Sequence, residues 1–331
     1  MSSSEEATPT GTRVITAAGV REHVDIESVV DAIEDAFAAY QRGESNMPPK
    51  TYVDLPGVDG DFRAMPAQVG DDAGVKWVNV HPDNPGRFGL PTVMGLVVYS
   101  DPESGYPLAV IDGTELTRFR TGAAAGVATQ YLAPDDADSL GILGAGEQAH
   151  TQLAAIASVV DLEEVVVSDL DEDAVERFID RESDRDVDIV GGSPKDVAGC
   201  DVISTTTPAS EPIIKAEWVD EGTHINAMGA DAEGKQELDH ALLDESVVID
   251  DWEQCSHSGE INVAVSEGSF TEDDVTATLG DVVTGETDVD QSGITVFDST
   301  GLAIQDIVTA RQVFDAAVEA DAGQVIDIVQ G

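Results

Sequence analysis

Between residues 25 and 42, apolar side chains recur at Ile26, Val29, Val30, Ile33, Phe37 and Tyr40. That spacing of three or four positions predicts one helix with a single apolar face, closed by Gly43 and then Pro48-Pro49. Short segments of strand character follow, punctuated by turn residues: 51–55, 62–69, 75–80, 92–100 and 107–111. No helical periodicity interrupts them, so they predict consecutive strands of an antiparallel sheet. From Thr114 the texture changes. An alanine-rich helical stretch runs to Leu132, and strands then alternate with helices at 141–143, 165–168, 188–190, 201–205, 224–228, 247–250 and 294–297. That alternation predicts a doubly wound parallel sheet. A last helical stretch, 302–319, and a short segment, 325–329, are expected to return to the first domain. The expected fold class is α/β, a Rossmann-type parallel sheet plus a second α+β domain with an antiparallel sheet. The expected boundaries are 1–118 with 312–331 for the α+β domain, and 119–311 for the Rossmann domain.

At the head of the alternating region lies Gly144-Ala145-Gly146-Glu147-Gln148-Ala149, a G-x-G-x-x-A turn after the apolar strand 139–143 and before a helical pattern, 149–159. Glycines there let a pyrophosphate approach bare backbone at a helix amino end. Read alone, they could mark only a tight turn. The next strand, 164–168, ends at Asp169, twenty residues past Ala149, where a carboxylate would meet both ribose hydroxyls of NAD. The run Asp169-Leu170-Asp171-Glu172-Asp173 would repel a further phosphate, which favours NAD over NADP.

Charge narrows the partners. Sixty-six acidic and 16 basic side chains give a formal net charge of −50. Nucleic acid and anionic membrane both demand a basic face, so neither is an expected partner. An apolar fraction of 41% argues against disorder. Such self-repulsion calls for concentrated counterions, since at molar salt the Debye length falls to about 3 Å. A salt-rich cytoplasm is the simplest setting, and an acidic surface built for a basic partner is the alternative. Cys200 and Cys255 make no disulfide framework, Cys200 reads as core, and Cys255-x-His257 lacks a second pair for zinc, so no metal is expected. Residues 1–10 read as a floppy tail without the apolar stretch of a signal peptide.

In a chain with five lysines, Lys76 stands out, because strand alternation puts it on the same face as Val78 and Val80. A lysine there either snorkels or is held for an anion or for proton transfer. Arg63, in Asp61-Phe62-Arg63-Ala64-Met65-Pro66, has similar character. Singly, each could be a structural salt bridge; together they suggest a carboxylate-binding pocket. Asp231, in Asn226-Ala227-Met228-Gly229-Ala230-Asp231, follows a predicted strand and could act as a general base or cap a turn.

These segments, with Met47-Pro48-Pro49-Lys50, Gly74-Val75-Lys76-Trp77-Val78-Asn79, Arg120-Thr121-Gly122-Ala123-Ala124, Gly222-Thr223-His224-Ile225, Gly234-Lys235-Gln236-Glu237-Leu238-Asp239 and Phe297-Asp298-Ser299-Thr300-Gly301-Leu302, resemble the ornithine cyclodeaminase/mu-crystallin family from about Val24 to Val313. Within it they look most like the archaeal alanine dehydrogenase branch. The resemblance implies a homodimer whose first domain supplies the dimer interface and the substrate pocket. It implies proton transfer by Lys76, with Asp231 near the reacting carbon, and substrate binding by Lys50, Arg63 and Arg120. It also implies cofactor contacts from Arg120, Gly144, Gly146, Glu147, Gln148, Asp169, Thr206, Met228, Gly229, Ala230, Lys235 and Ser299. Two positions depart from the family pattern. Asp171 replaces a frequent basic residue, which weighs further against NADP, and Glu147 puts an acid beside the expected pyrophosphate. The implied activity is NAD-dependent oxidative deamination of a small L-amino acid, alanine foremost. Ornithine cyclodeamination, imine reduction and a mu-crystallin-like NAD-binding protein are the alternatives. Lys50 and Arg63 should disfavour ornithine, since a cation at about 6 Å repels its distal ammonium by roughly 3 kcal/mol at an effective dielectric near 20.

Overall fold

The computed structural model describes residues 11–329, so the amino-terminal tail read from the sequence lies outside the described residues. The chain divides into two compact units. One contains the residues up to 25, 43–117 and those from 303 onward, and the other contains 26–42 and 118–302.

The first unit is built on strands β1 (Thr12–Ile15), β2 (Ser45–Asn46), β3 (Thr51–Asp54), β4 (Asp61–Val69), β5 (Asp72–Val80), β6 (Val93–Ser100) and β7 (Pro107–Asp112), with the late strand Gln324–Ile326 at its edge. From that edge the order runs β1-β7-β6-β5-β4-β2, and β3 also pairs with β4. Gln324–Ile326, near the chain's end, pairs antiparallel with β1. The strands read from the sequence, β3 to β7, pair antiparallel as expected, and β1, which was not among them, joins β7 in parallel. No hairpin joins those two strands, so no turn dictates their relative direction. One correction is the helix Asn84–Phe88 between β5 and β6, where only strands were read. Pro85 in its first turn and left-handed Gly89 after its end define it, but five residues are too few to show a period.

Strand alternation gives this sheet two unlike faces. Met65, Lys76, Val78 and Val97 are buried on one, beneath the helix Ala303–Glu319, whose first eight residues are all buried. That helix comes close enough for Ile307 to touch the Gly74 backbone position. On the opposite face Phe62 stacks on Trp77, and Trp77 pairs across strands with Leu96. Trp77 is 43% and Leu96 51% exposed.

The second unit holds β8 (Ser139–Leu143), β9 (Glu164–Ser168), β10 (Asp188–Gly191), β11 (Val202–Thr205), β12 (His224–Ala227), β13 (Ser246–Ile249), β14 (Ala277–Thr278) and β15 (Thr295–Asp298). They form an all-parallel sheet in the order β10-β9-β8-β11-β12-β15-β13-β14. The chain steps one way from β8 to β9 and β10, then returns to the other side of β8 with β11. That reversal is the topological switch point where open α/β sheets bind ligands. The helix Ile26–Gln41 belongs to this unit, not to the first. Its apolar face meets the helices Leu279–Val283 and Glu147–Ile156, and Tyr40 donates a hydrogen bond to Asp251 at 2.9 Å. The carboxyl-side division falls at 302/303 and not at 311/312, because the whole final helix packs on the first unit's sheet.

Candidate functional site

Around the switch point the local sequence explains the geometry. Gly144 has φ +98°, and a Cβ there would lie 3.0 Å from the Thr206 hydroxyl and 3.1 Å from its carbonyl, so glycine is required on both counts. Thr206 closes the other side by donating its amide to Leu143 at 2.9 Å. The helix Glu147–Ile156 begins at Gly146 with no side-chain cap among the described residues, and a Cβ on Gly146 would point into open space. Asp169 reaches back from the end of β9. One carboxylate oxygen accepts the Ala145 amide at 2.7 Å and the other the Asp171 amide at 2.9 Å. A cavity of about 470 Å³ opens here, lined by Gly146, Glu147, His150, Asp169, Asp171 and Arg181 among others. The Gln148 Oε1, at the same helix start, is buried and makes no hydrogen bond to the described residues. Bare backbone at a helix amino end, a carboxylate at the next strand end and an unsatisfied acceptor together fit a dinucleotide.

Met228, Gly229, Ala230 and Ser299, also expected at the cofactor, lie just past strand carboxyl ends, and Arg120 lies in the helix Gly113–Leu132. Met228, Gly229 and Ala230 follow β12, where the Met228 amide bonds to Thr205 at 3.1 Å. Ser299 follows β15, is buried, and donates to Asp250 at 2.8 Å. Arg120 is buried with its guanidinium directly against Gly301. Asp231 is half exposed and forms an i,i+4 ion pair with Lys235 at 2.5 Å.

In the first unit Lys76 and Arg63 lie on the helix-covered face of the sheet. Lys76 is 2% exposed and donates to Asp306, itself fully buried, at 2.7 Å, and to the Thr117 hydroxyl at 3.3 Å. Among the described residues it is the only buried lysine of the five. Arg63 pairs across strands with Val78, which places it diagonal to Lys76 on that face. Its guanidinium is held by Asp61 in a two-pronged pair, at 2.8 and 3.1 Å, and lies 5.3 Å over the Tyr52 ring. This revises the electrostatic argument against ornithine, because Asp61 already offsets the Arg63 charge. Lys50 immediately precedes β3 and is half-buried. Lys76, Arg63 and Lys50 therefore share one unit, and Asp231, Arg120 and the nucleotide set share the other.

The sequence reading missed Asp306. It is the acid in Leu302-Ala303-Ile304-Gln305-Asp306-Ile307-Val308, and a carboxylate inside so apolar a run was the available signal. It also missed a series of buried carboxylates behind the strand ends. Glu237 accepts the Thr207 amide at 2.7 Å and the Gly229 amide at 3.0 Å. Glu260 accepts the amides of Glu237 and Leu238, and Asp298 those of Glu260 and Ile261. Asp250 accepts the Gly301 amide at 2.8 Å and a thiol bond from Cys255. Burial raises Glu237 and Glu260 above the usual carboxylate range and pushes Asp298 up to about 7. Cys200 and Cys255 are both free and buried, and burial raises Cys200 to about 12. No group of three His, Cys, Asp or Glu side chains among the described residues is placed to hold a metal, and no helix there is long and apolar enough to cross a membrane.

The model of the ornithine cyclodeaminase/mu-crystallin family matches residues 11–321. An alanine dehydrogenase of Archaeoglobus fulgidus is 46% identical over 318 residues, covering 95% of this chain and 98% of that protein. Among solved structures, an archaeal alanine dehydrogenase dimer with bound NAD superposes with a TM-score of 0.92 at 45% identity, covering 96% of this chain and all of that one. The Thermococcus litoralis Δ1-pyrroline-2-carboxylate reductase, in complex with NADH and L-proline, gives 0.90 at 31% identity over 95% of this chain and all of that one.

Proposed function

The chain belongs to the ornithine cyclodeaminase/mu-crystallin family, and on that premise we propose that it is an NAD-dependent amino-acid dehydrogenase that converts L-alanine to pyruvate and ammonia. The observation that carries the reading is the buried Lys76–Asp306 pair. Two desolvated charges are expensive, and a protein that only bound a dinucleotide would have no use for them on the unit without the nucleotide turn. The 46% identity to an alanine dehydrogenase across nearly the whole chain supports the choice of substrate.

Gly144, Gly146, Gln148 and Asp169 would hold the dinucleotide, which when bound supplies a hydride acceptor. On the family resemblance, Lys50, Arg63 and Arg120 are the cations that would meet the substrate carboxylate. Lys76 Nζ holds a proton against Asp306 and is the group that passes it to and from the substrate nitrogen or the attacking water, with Asp231 as the second carrier. Loss of one hydride and addition of one water to alanine give pyruvate, ammonium and a released proton. The exposed sheet face around Trp77 and Leu96 supports a homodimer, since an apolar face of this kind is ordinarily covered. The net charge of −50 supports a salt-rich cytoplasmic setting.

One observation favours a second reading. With Arg63 already paired to Asp61, a substrate with a distal ammonium or a cyclic imine meets less repulsion than the sequence implied, which keeps cyclodeamination and imine reduction in view. Initial rates with NAD in concentrated KCl, across alanine, ornithine, lysine and proline, test the choice. Alanine should be fastest, and a higher kcat/KM for proline or ornithine would contradict the proposal.

A further inference from the structure

Glu147 is the first residue of the helix that opens at the dinucleotide turn, where an acid should repel the anion this turn is shaped to accept. Two arginines from elsewhere in the same unit converge on it. Arg118 Nη1 lies 3.4 Å from its Oε2, and Arg181 Nη1 lies 3.4 and 3.3 Å from its two oxygens. Arg118 comes from the helix Gly113–Leu132 and Arg181 from the last turn of Glu172–Glu182. Although partial burial works in the other direction, the two guanidiniums hold the Glu147 carboxyl below its ordinary range. Near Asp171 the pattern recurs, with Arg177 at 3.1 Å. In a chain with 16 basic residues, three of them are spent on two acids bordering one cavity.

We propose that Arg118 and Arg181 set cofactor affinity through Glu147: by neutralising that carboxylate they make the turn acceptable to a pyrophosphate. This rests on the cofactor reading above and goes beyond it, because the arginines act on a group of the protein and not on the ligand. The consequence is conditional. The two guanidiniums matter only while Glu147 is charged, and only to a ligand that carries phosphate. If either arginine instead gripped the phosphate directly, its loss would be felt whatever stood at position 147.

A double-mutant cycle read by isothermal titration separates these cases. Arg118→Gln and Arg181→Gln should each weaken NAD by about tenfold at the lowest KCl that keeps the protein folded, the size expected for one uncompensated charge near a phosphate. In a Glu147→Gln background the same substitutions should cost less than about twofold, within ordinary additivity. Adenosine, which has no pyrophosphate, should bind all variants alike. Equal losses in both backgrounds, or equal losses for adenosine, overturn the proposal while leaving NAD binding intact. A wild-type protein that does not bind NAD overturns the cofactor reading as well.

Discussion

Both units bury charge, and they do it in opposite ways. Beneath the mixed sheet, one ammonium meets one carboxylate, Lys76 with Asp306, in near-complete exclusion from water. Behind the parallel sheet, Glu237, Glu260 and Asp298 are buried with no cation against them among the described residues, each taking two or more backbone amides as partners. Those amides are fixed by the fold and are not acids near neutral pH, so they pin the carboxylates and, through Glu237, the loops that follow β11 and β12. A lysine can exchange a proton. On the function proposed above, the dry ion pair holds that lysine in one geometry for proton transfer.

The sharpest way to break that contrast is to remove the exchangeable cation. Lys76→Met should lower turnover by roughly 10²–10⁴-fold, the usual share of a positioned acid–base group, with NAD affinity unchanged by titration. Because Asp306 would be left buried without that partner, about 3–5 kcal/mol of stability should be lost as well. Lys76→Met with Asp306→Leu should restore most of the melting temperature but none of the turnover. Recovery of activity in the double variant would mean that the pair is structural.

Asp169→Ala comes next in size. A diol acceptor and the tether on Ala145 disappear together, and NAD should weaken by at least about tenfold, with alanine turnover at saturating NAD largely kept. Unchanged NAD affinity would detach this strand end from the cofactor.

The smallest effect concerns pH. Asp298 is raised from 3.8 to about 7 by burial, so between those values the folded chain holds a proton that the unfolded chain has lost. Stability from this group is therefore greatest below the unfolded value and declines as pH rises toward 7, with a slope of at most about 1.4 kcal/mol per pH unit. Glu237 and Glu260 are shifted in the same direction and add to the trend. Asp298→Asn should flatten urea-denaturation free energies across that window. A wild-type protein that gains stability from pH 5 to 7 would show that the paired carboxylates with lowered values, such as Glu182 at about 2, dominate instead.

What the sequence made legible was whatever depends on neighbours in the chain. The parallel sheet followed from alternation, the turn from Gly144 and Gly146, and the end of β9 at Asp169 from its distance past the turn. Lys76 stood out by strand parity. Its partner did not, because Asp306 lies 230 residues away and nothing local marks the pairing. The helix Ile26–Gln41 was read correctly as a helix, yet periodicity reveals an apolar face and not which unit will cover it. Glu147 looked like a misfit for the same reason, since the arginines that neutralise it come from positions 118 and 181. The carboxylate series acts through backbone amides, which no residue type announces.

The central claim is net oxidation of a small amino acid, and a closed reaction followed to completion tests it most directly. With L-alanine and NAD in concentrated KCl, NADH, ammonia and pyruvate should appear in equal amounts, and ornithine should yield little of anything. Proline and ammonia formed from ornithine without net NADH would contradict the account and make the chain a cyclodeaminase.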